Sequence, residues 1–118
     1  MKVEIYGIAN CDATKKTIDW FEENKIPFRF HDYKSAGIGK EKLISWDKKA
    51  GWENFFNKRS RTWRLVSDDH PDGVTTLALA LKIMLEYNSI IKRPVIETGG
   101  PLIIGYDENK FSLLKNNQ

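Results

Sequence analysis

Cysteine occurs once in this chain, histidine twice and methionine twice. A lone cysteine closes no internal disulfide, which excludes the small secreted scaffolds that depend on such staples. Two histidines beside one thiol are a poor basis for a structural zinc site, and no metal is expected. Long hydrophobic runs are missing as well. No stretch of about 18 apolar residues occurs, so no membrane-spanning helix and no membrane partner are expected. The opening Met1-Lys2-Val3-Glu4 runs straight into an apolar stretch without a signal-peptide pattern, and the expected location is cytoplasmic. A strong charge of one sign is also lacking. Nineteen basic against sixteen acidic residues leave a formal +3, too small a surplus to imply nucleic acid as a direct partner. Internal repeats, low-complexity tracts and linkers are absent.

What remains is a composition of ordinary globular kind, 41% hydrophobic and 30% charged. The 118 residues suit one domain spanning 1–118, and a chain of this size buries roughly two-thirds of its unfolded surface. Lys2–Tyr6 alternates with period two and reads as a strand, with Val3 and Ile5 on one face. The loop Gly7–Cys11 follows. Ala13, Thr17, Trp20, Phe21 and Asn24 then recur at helical spacing, and Pro27 lies beyond a helix stop. Phe28–Tyr33 alternates again as a second strand, so the segment forms a right-handed parallel strand–helix–strand unit.

From about residue 40 to 87 the pattern is helical. Leu43, Ile44 and Trp46 begin one short helix that ends at Ala50-Gly51. Trp52, Phe55 and Phe56 make another apolar turn, and Asn57–Arg64 is the most basic octet of the chain. Asp72 is expected to cap a helix carrying Leu77, Leu81, Met84 and Leu85 on one side. Pro94–Glu97 and Leu102–Ile104 flank Thr98-Gly99-Gly100-Pro101, a hairpin signal, and Asp107-Glu108 opens a last helix before a frayed Asn116-Asn117-Gln118. The whole reads as an α/β, thioredoxin-like fold. Its mixed four-stranded sheet is built as β-α-β then β-hairpin-α, and a helical subdomain is inserted at about 40–87.

The one thiol falls where the first strand gives way to the first helix. Free amides and the dipole at a helix N-terminus favour an anion, which lowers a thiol's pKa and raises its nucleophilic fraction. Lys15 and Lys16 follow at the end of the helix that disfavours cations, as though an anion were to be held there. Arg93-Pro94 precedes the third strand, a junction where a proline is often cis and where, in this layout, the loop lies against the thiol loop. Arg93 can then offer its guanidinium to an anion at Cys11. Lys58, Arg59, Arg61 and Arg64 offer a solvated face or a phosphate- or carboxylate-binding patch, and Trp63 among them packs beneath or anchors a partner. His31 and His70 have no second ligand at metal spacing, and Trp20, Trp46, Trp52, Phe55 and Phe56 read as core.

Four motifs in order carry a resemblance over nearly the whole chain. They are Ile5-Tyr6-Gly7-Ile8-Ala9-Asn10-Cys11-Asp12, Phe30-His31-Asp32-Tyr33, Ile91-Lys92-Arg93-Pro94 and Gly105-Tyr106-Asp107-Glu108. The chain resembles the ArsC/Spx family of arsenate reductase-like proteins, and most of all its small YffB-type branch. The resemblance implies that Cys11 is a redox-active catalytic thiol. It implies that Arg93 and a basic residue of Lys58–Arg59 face that thiol, and that Pro94 is cis. Asn10, Lys15, Arg59, Arg93 and Pro94 are accordingly expected to bind the substrate or glutathione. Three departures bear on activity. Arsenate reductases of the family place histidine at the position of Gly7, arginine at that of Lys15 and a third arginine at that of Gly105. Spx regulators commonly carry a second cysteine where Thr14 stands.

A lone thiolate that accepts a mixed disulfide cannot resolve it internally, so the resolving thiol must come from outside. Glutathione is therefore the expected co-substrate, with no bound cofactor, in a monothiol reductase acting on a small thiol or disulfide. The alternative is a non-catalytic, Spx-like regulator that contacts RNA polymerase; arsenate reduction itself comes third.

Overall fold

The computed structural model describes residues 2–115; the tail expected to fray, Asn116-Asn117-Gln118, lies outside the described residues. The chain divides into two compact units, one formed by Met1–Ala36 with Arg93–Gln118 and the other by Gly37–Lys92.

The first unit holds a four-stranded sheet in the order β2-β1-β3-β4. β1 (Glu4–Gly7) runs parallel to β2 (Arg29–Asp32), with Ile5 opposite Phe30, and antiparallel to β3 (Val95–Glu97), with Ile5 opposite Ile96. β3 pairs antiparallel with β4 (Ile103–Ile104). Period-two alternation sorts the side chains as the sequence predicts. Val3, Ile5, Ile96 and Ile103 point to one face, where α1 (Asp12–Glu23) contributes Trp20 and Phe21 and α5 (Glu108–Lys115) contributes Phe111 and Leu114. Phe21 and Phe111 meet edge to face with centroids 5.2 Å apart, the arrangement that ring quadrupoles favour. Asp107 starts α5 by accepting the Lys110 amide at 3.1 Å. The opposite face of the sheet carries Tyr6, whose hydroxyl donates to Glu4 at 2.7 Å and reaches Glu97 at 3.3 Å. The architecture is the expected mixed α/β sheet.

The second unit is helical. α2 (Lys40–Ala50) ends at Gly51, whose φ of +81° is a left-handed conformation that glycine adopts without a side-chain clash. A 3-10 turn at Trp52–Asn54 follows, then α3 (Arg61–Val66), capped by the Ser60 side chain. Trp46, Trp52, Phe55 and Phe56 are buried, as their reading as core requires. The last helix of this unit, α4, spans Leu77–Glu86 and starts later than expected. Its cap is Thr76, which accepts the Leu79 amide at 3.2 Å, and not Asp72. Gly73 has positive φ and Val74 is already buried ahead of the helix, so the chain stays out of helical geometry until Thr76. The buried face is Ala80, Leu81, Ile83 and Met84, which leaves Leu85 exposed. Trp63 packs edge to face on Phe56 and stacks on His70 at an interplanar angle of 18°. That contact accounts for both residues within this unit.

Candidate active site

Cys11 is the N-cap of α1, in extended geometry at φ −96° and ψ 130°. Its own amide donates to Ile8 at 3.0 Å, closing a turn, and its carbonyl accepts the first helical bond from Lys15 at 2.9 Å. The β1–α1 loop thus delivers the sulfur to the free amides of the helix start. Partial burial works against ionisation. The amide of Thr14, the guanidinium of Arg93, the hydroxyl of Thr14 and the amide of Ala13 outweigh it, and together they hold the thiol below its ordinary value. Arg93 precedes the cis peptide bond to Pro94, and Gly105 donates its amide to the Pro94 carbonyl at 2.7 Å. Arg93 is half-buried. Desolvation acts against its charge, while hydrogen bonds to Cys11 and Tyr33 more than restore it, so its pKa lies above the usual arginine value.

Of the residues named from the sequence, Cys11, Arg93 and Pro94 come together here. Asn10 is exposed in the turn just before the thiol and lines a cleft of about 350 Å³ with Ile8, Ala9, Asp32, Lys34 and Ser35. Lys15 is exposed on the first turn of α1. Lys16 places its ammonium 4.7 Å from the centre of the Tyr106 ring, so a cation–π contact occupies one of the two lysines first read as anion holders. Arg59 belongs to the helical unit, in the turn ahead of α3. Its amide donates to Asn57 Oδ1 at 3.0 Å, and the residue shares a second cleft of about 350 Å³ with Glu53, Lys58 and Lys92. Among the described residues, no group of three or more His, Cys, Asp or Glu could hold a metal ion.

Two residues escape the sequence reading. Thr14 is fully buried, and its hydroxyl has no settled hydrogen-bond partner, although Cys11 is the group it can serve. A methyl group added to Gly7 would lie 2.6 Å from that hydroxyl oxygen. Gly7 and Thr14 are therefore matched, and the threonine fills the space a side chain at position 7 would need. The second is Tyr33, fully buried at the end of β2, whose phenol meets the Arg93 guanidinium. The spacing Cys-x-x-Thr was the only available signal for the first, and nothing local signals the second.

Asp32 secures the loop from the β2 side. Its Oδ2 accepts the Ala9 amide at 3.1 Å, and its Oδ1 accepts those of Lys34 at 2.9 Å and Ser35 at 3.2 Å. The Ala9 bond leads the set of contacts that keeps this carboxyl below the ordinary aspartate value. A depressed carboxylate contributes stability that is fully present above its unfolded value of about 3.9 and is lost as pH falls through the folded value. Unfolding in denaturant should therefore show Asp32→Asn less stable than the native protein at pH 7, with the gap closing as the solution is acidified below about pH 4. A gap that stays constant with pH would remove the carboxylate's charge from the account.

A sheet of this topology with one activated cysteine at the start of its first helix, opposite an X-Pro cis bond, defines a thioredoxin-like thiol protein. The ArsC family profile matches residues 6–113, and the chain belongs to the ArsC family. It is similar to the solved YffB protein, at 36% identity and a TM-score of 0.88 over 95% of this chain and 97% of that one. An arsenate reductase (ArsC) related protein from Brucella melitensis is 38% identical, with a TM-score of 0.76 over 96% of this chain and 93% of that one. Global transcriptional regulator Spx 1 of Lactococcus lactis is 24% identical over 92% of this chain and 85% of its own length. Among the described residues, no helix is long and apolar enough to cross a membrane.

Proposed function

We propose that this protein is a glutathione-dependent monothiol reductase acting in the cytoplasm. The observation that carries this reading is Cys11 at the start of α1, its thiol pKa held below the ordinary value with the help of Thr14 and Arg93, in a sequence with no second cysteine. The Cys11 thiolate attacks one sulfur of a disulfide between glutathione and a second thiol. A bond forms between Cys11 and the glutathione sulfur while the original disulfide breaks, and the other thiol leaves as a thiolate that takes a proton from water. A glutathione thiolate then attacks the mixed disulfide and releases oxidised glutathione and the Cys11 thiolate. In the net exchange one glutathione thiol is consumed: its sulfur ends in the oxidised disulfide, and the sulfur of the other thiol ends reduced. Asn10, Lys15, Arg93 and Pro94, all of the unit that carries the thiol, are assigned to holding the tripeptide, with the cations suited to its carboxylates.

Intact mass after incubation with oxidised glutathione tests the proposal. One tripeptide should add to the native protein, none to Cys11→Ser, and reduced glutathione should remove it. Absence of an adduct on the native protein would overturn the reading. The likeness to Spx 1 supports a second reading, a regulator that binds RNA polymerase without turnover. Polymerase captured equally well by native protein and Cys11→Ser, with no adduct on either, would favour that one.

A further inference from the structure

We propose that Tyr33 is a positioning residue, whose phenol oxygen fixes the Arg93 guanidinium so that the opposite edge of the fork faces the Cys11 sulfur. The inference rests on the reading of Cys11 as the reacting thiol. Arginine carries five N–H donors on a long, rotatable stem, and a half-buried guanidinium satisfied on one side only would be free to turn. Here both the sulfur and the phenol are partners of it. The phenol is well suited to being a fixed point. Tyr33 has no solvent exposure, and its amide donates to the Gly7 carbonyl at 3.1 Å, at the very end of β1 where the thiol loop begins. Its neighbour Asp32 grips the same loop through the Ala9 amide. The end of β2 therefore holds both partners of the reaction centre, the nucleophile's loop through Asp32 and the cation through Tyr33.

The choice of a phenol has a chemical consequence. A carboxylate in that position would orient the guanidinium equally well but would neutralise it, and the thiolate would lose its counter-charge. Burial pushes the Tyr33 hydroxyl up to about 12, so it stays neutral wherever the thiol titrates. It accepts a hydrogen bond from Arg93 without competing for the positive charge.

Alkylation of Cys11 by iodoacetamide, a neutral reagent that involves no glutathione, measures the thiolate across a pH series. The native protein, Tyr33→Phe, Arg93→Ala and the double variant form a cycle. Tyr33→Phe should slow alkylation at pH 7 about three- to tenfold and move the midpoint upward, while in the Arg93→Ala background it should change neither. Equal slowing in both backgrounds would overturn the proposal, because Tyr33 would then act by packing alone. No slowing by Tyr33→Phe where Arg93 is intact would also overturn it. The unaltered protein gives an independent check by NMR. The Arg93 guanidinium protons should exchange slowly and lie close to the Tyr33 ring; rapid exchange would overturn the assignment. If the cycle succeeds and no glutathione adduct forms, only the choice of co-substrate fails.

Discussion

Replacing Thr14 by valine should make the protein more stable wherever Cys11 is protonated, and its thiol less reactive. Valine has nearly the shape of threonine, so the buried site stays filled. While Cys11 is protonated, the hydroxyl it removes finds no strong acceptor, which costs about 1–3 kcal/mol when buried. Equilibrium unfolding at a pH where the thiol is protonated should therefore show a gain of about 1 kcal/mol, which shrinks as the pH rises and the native hydroxyl gains the thiolate as acceptor. The same hydroxyl is a donor to the ionised sulfur, and losing a hydrogen bond to a charged group is worth about 1.5 kcal/mol or more. Thiolate should fall by up to about tenfold at pH values below the thiol's midpoint, read as a slower alkylation rate with an upward midpoint. A variant that is both less stable and equally reactive would show that Thr14 is ordinary core. The expected opposition of the two effects is the mark of a group kept for chemistry at the expense of folding.

Arsenate should be a poor substrate, turned over about ten- to a hundredfold more slowly than a complete oxyanion site would allow, the cost of one missing charge-assisted donor. A multiply charged oxyanion approaching a thiolate is repelled unless several cations surround it. Arg93 is the guanidinium at the thiol. The position where related reductases carry a further arginine is Gly105, which offers no side chain. Lysine at position 15 is a point charge and does not reproduce a bidentate fork. Gly105 has φ +86° with open space where a Cβ would stand, so Gly105→Arg fits sterically at a backbone cost of about 1–2 kcal/mol. Arsenite formation with glutathione and glutaredoxin should be low in the native protein and rise in that variant. Native turnover above about 1 s⁻¹, in the usual enzyme range, would overturn the expectation. Histidine at position 7 is not restored so simply, because its Cβ would collide with Thr14.

Local pattern was enough for β1 and α1, because the alternation of Val3 and Ile5 and the helical recurrence of Thr17, Trp20 and Phe21 are imposed by burial on one face. Cys11 was legible for a similar reason: a helix start creates the same free amides whatever the rest of the fold does. Arg93 and Pro94 were legible once the strand–helix–strand and hairpin pattern gave a layout, since that layout sets their loop against the thiol loop, and the resemblance agreed. Thr14 was passed over because a stripe of apolar residues led to Ala13, whereas the more deeply buried position is the polar neighbour. Tyr33 looked like the last residue of an alternating strand. Its meeting with Arg93 depends on β1 lying between β2 and β3, which no window of a few residues contains. The Asp72 cap failed because a capping residue was inferred from composition ahead of the helix, while the positive φ of Gly73 keeps the chain extended as far as Thr76.

The sheet is assembled from the two ends of the chain, and this sets an order of events during synthesis. β1 and β2 leave the ribosome early, but β3 must pair with β1 across the whole helical unit; the Tyr6–Glu97 bond alone spans 91 residues. Until that late segment emerges, the nascent polypeptide displays a cysteine without its arginine, and the strand edge of β1 waits unpaired. Closing so long a loop is entropically costly and slow compared with helix formation. The guanidinium that promotes ionisation arrives with the same strand that completes the sheet, so the thiol gains its full reactivity only when the polypeptide has finished folding around it.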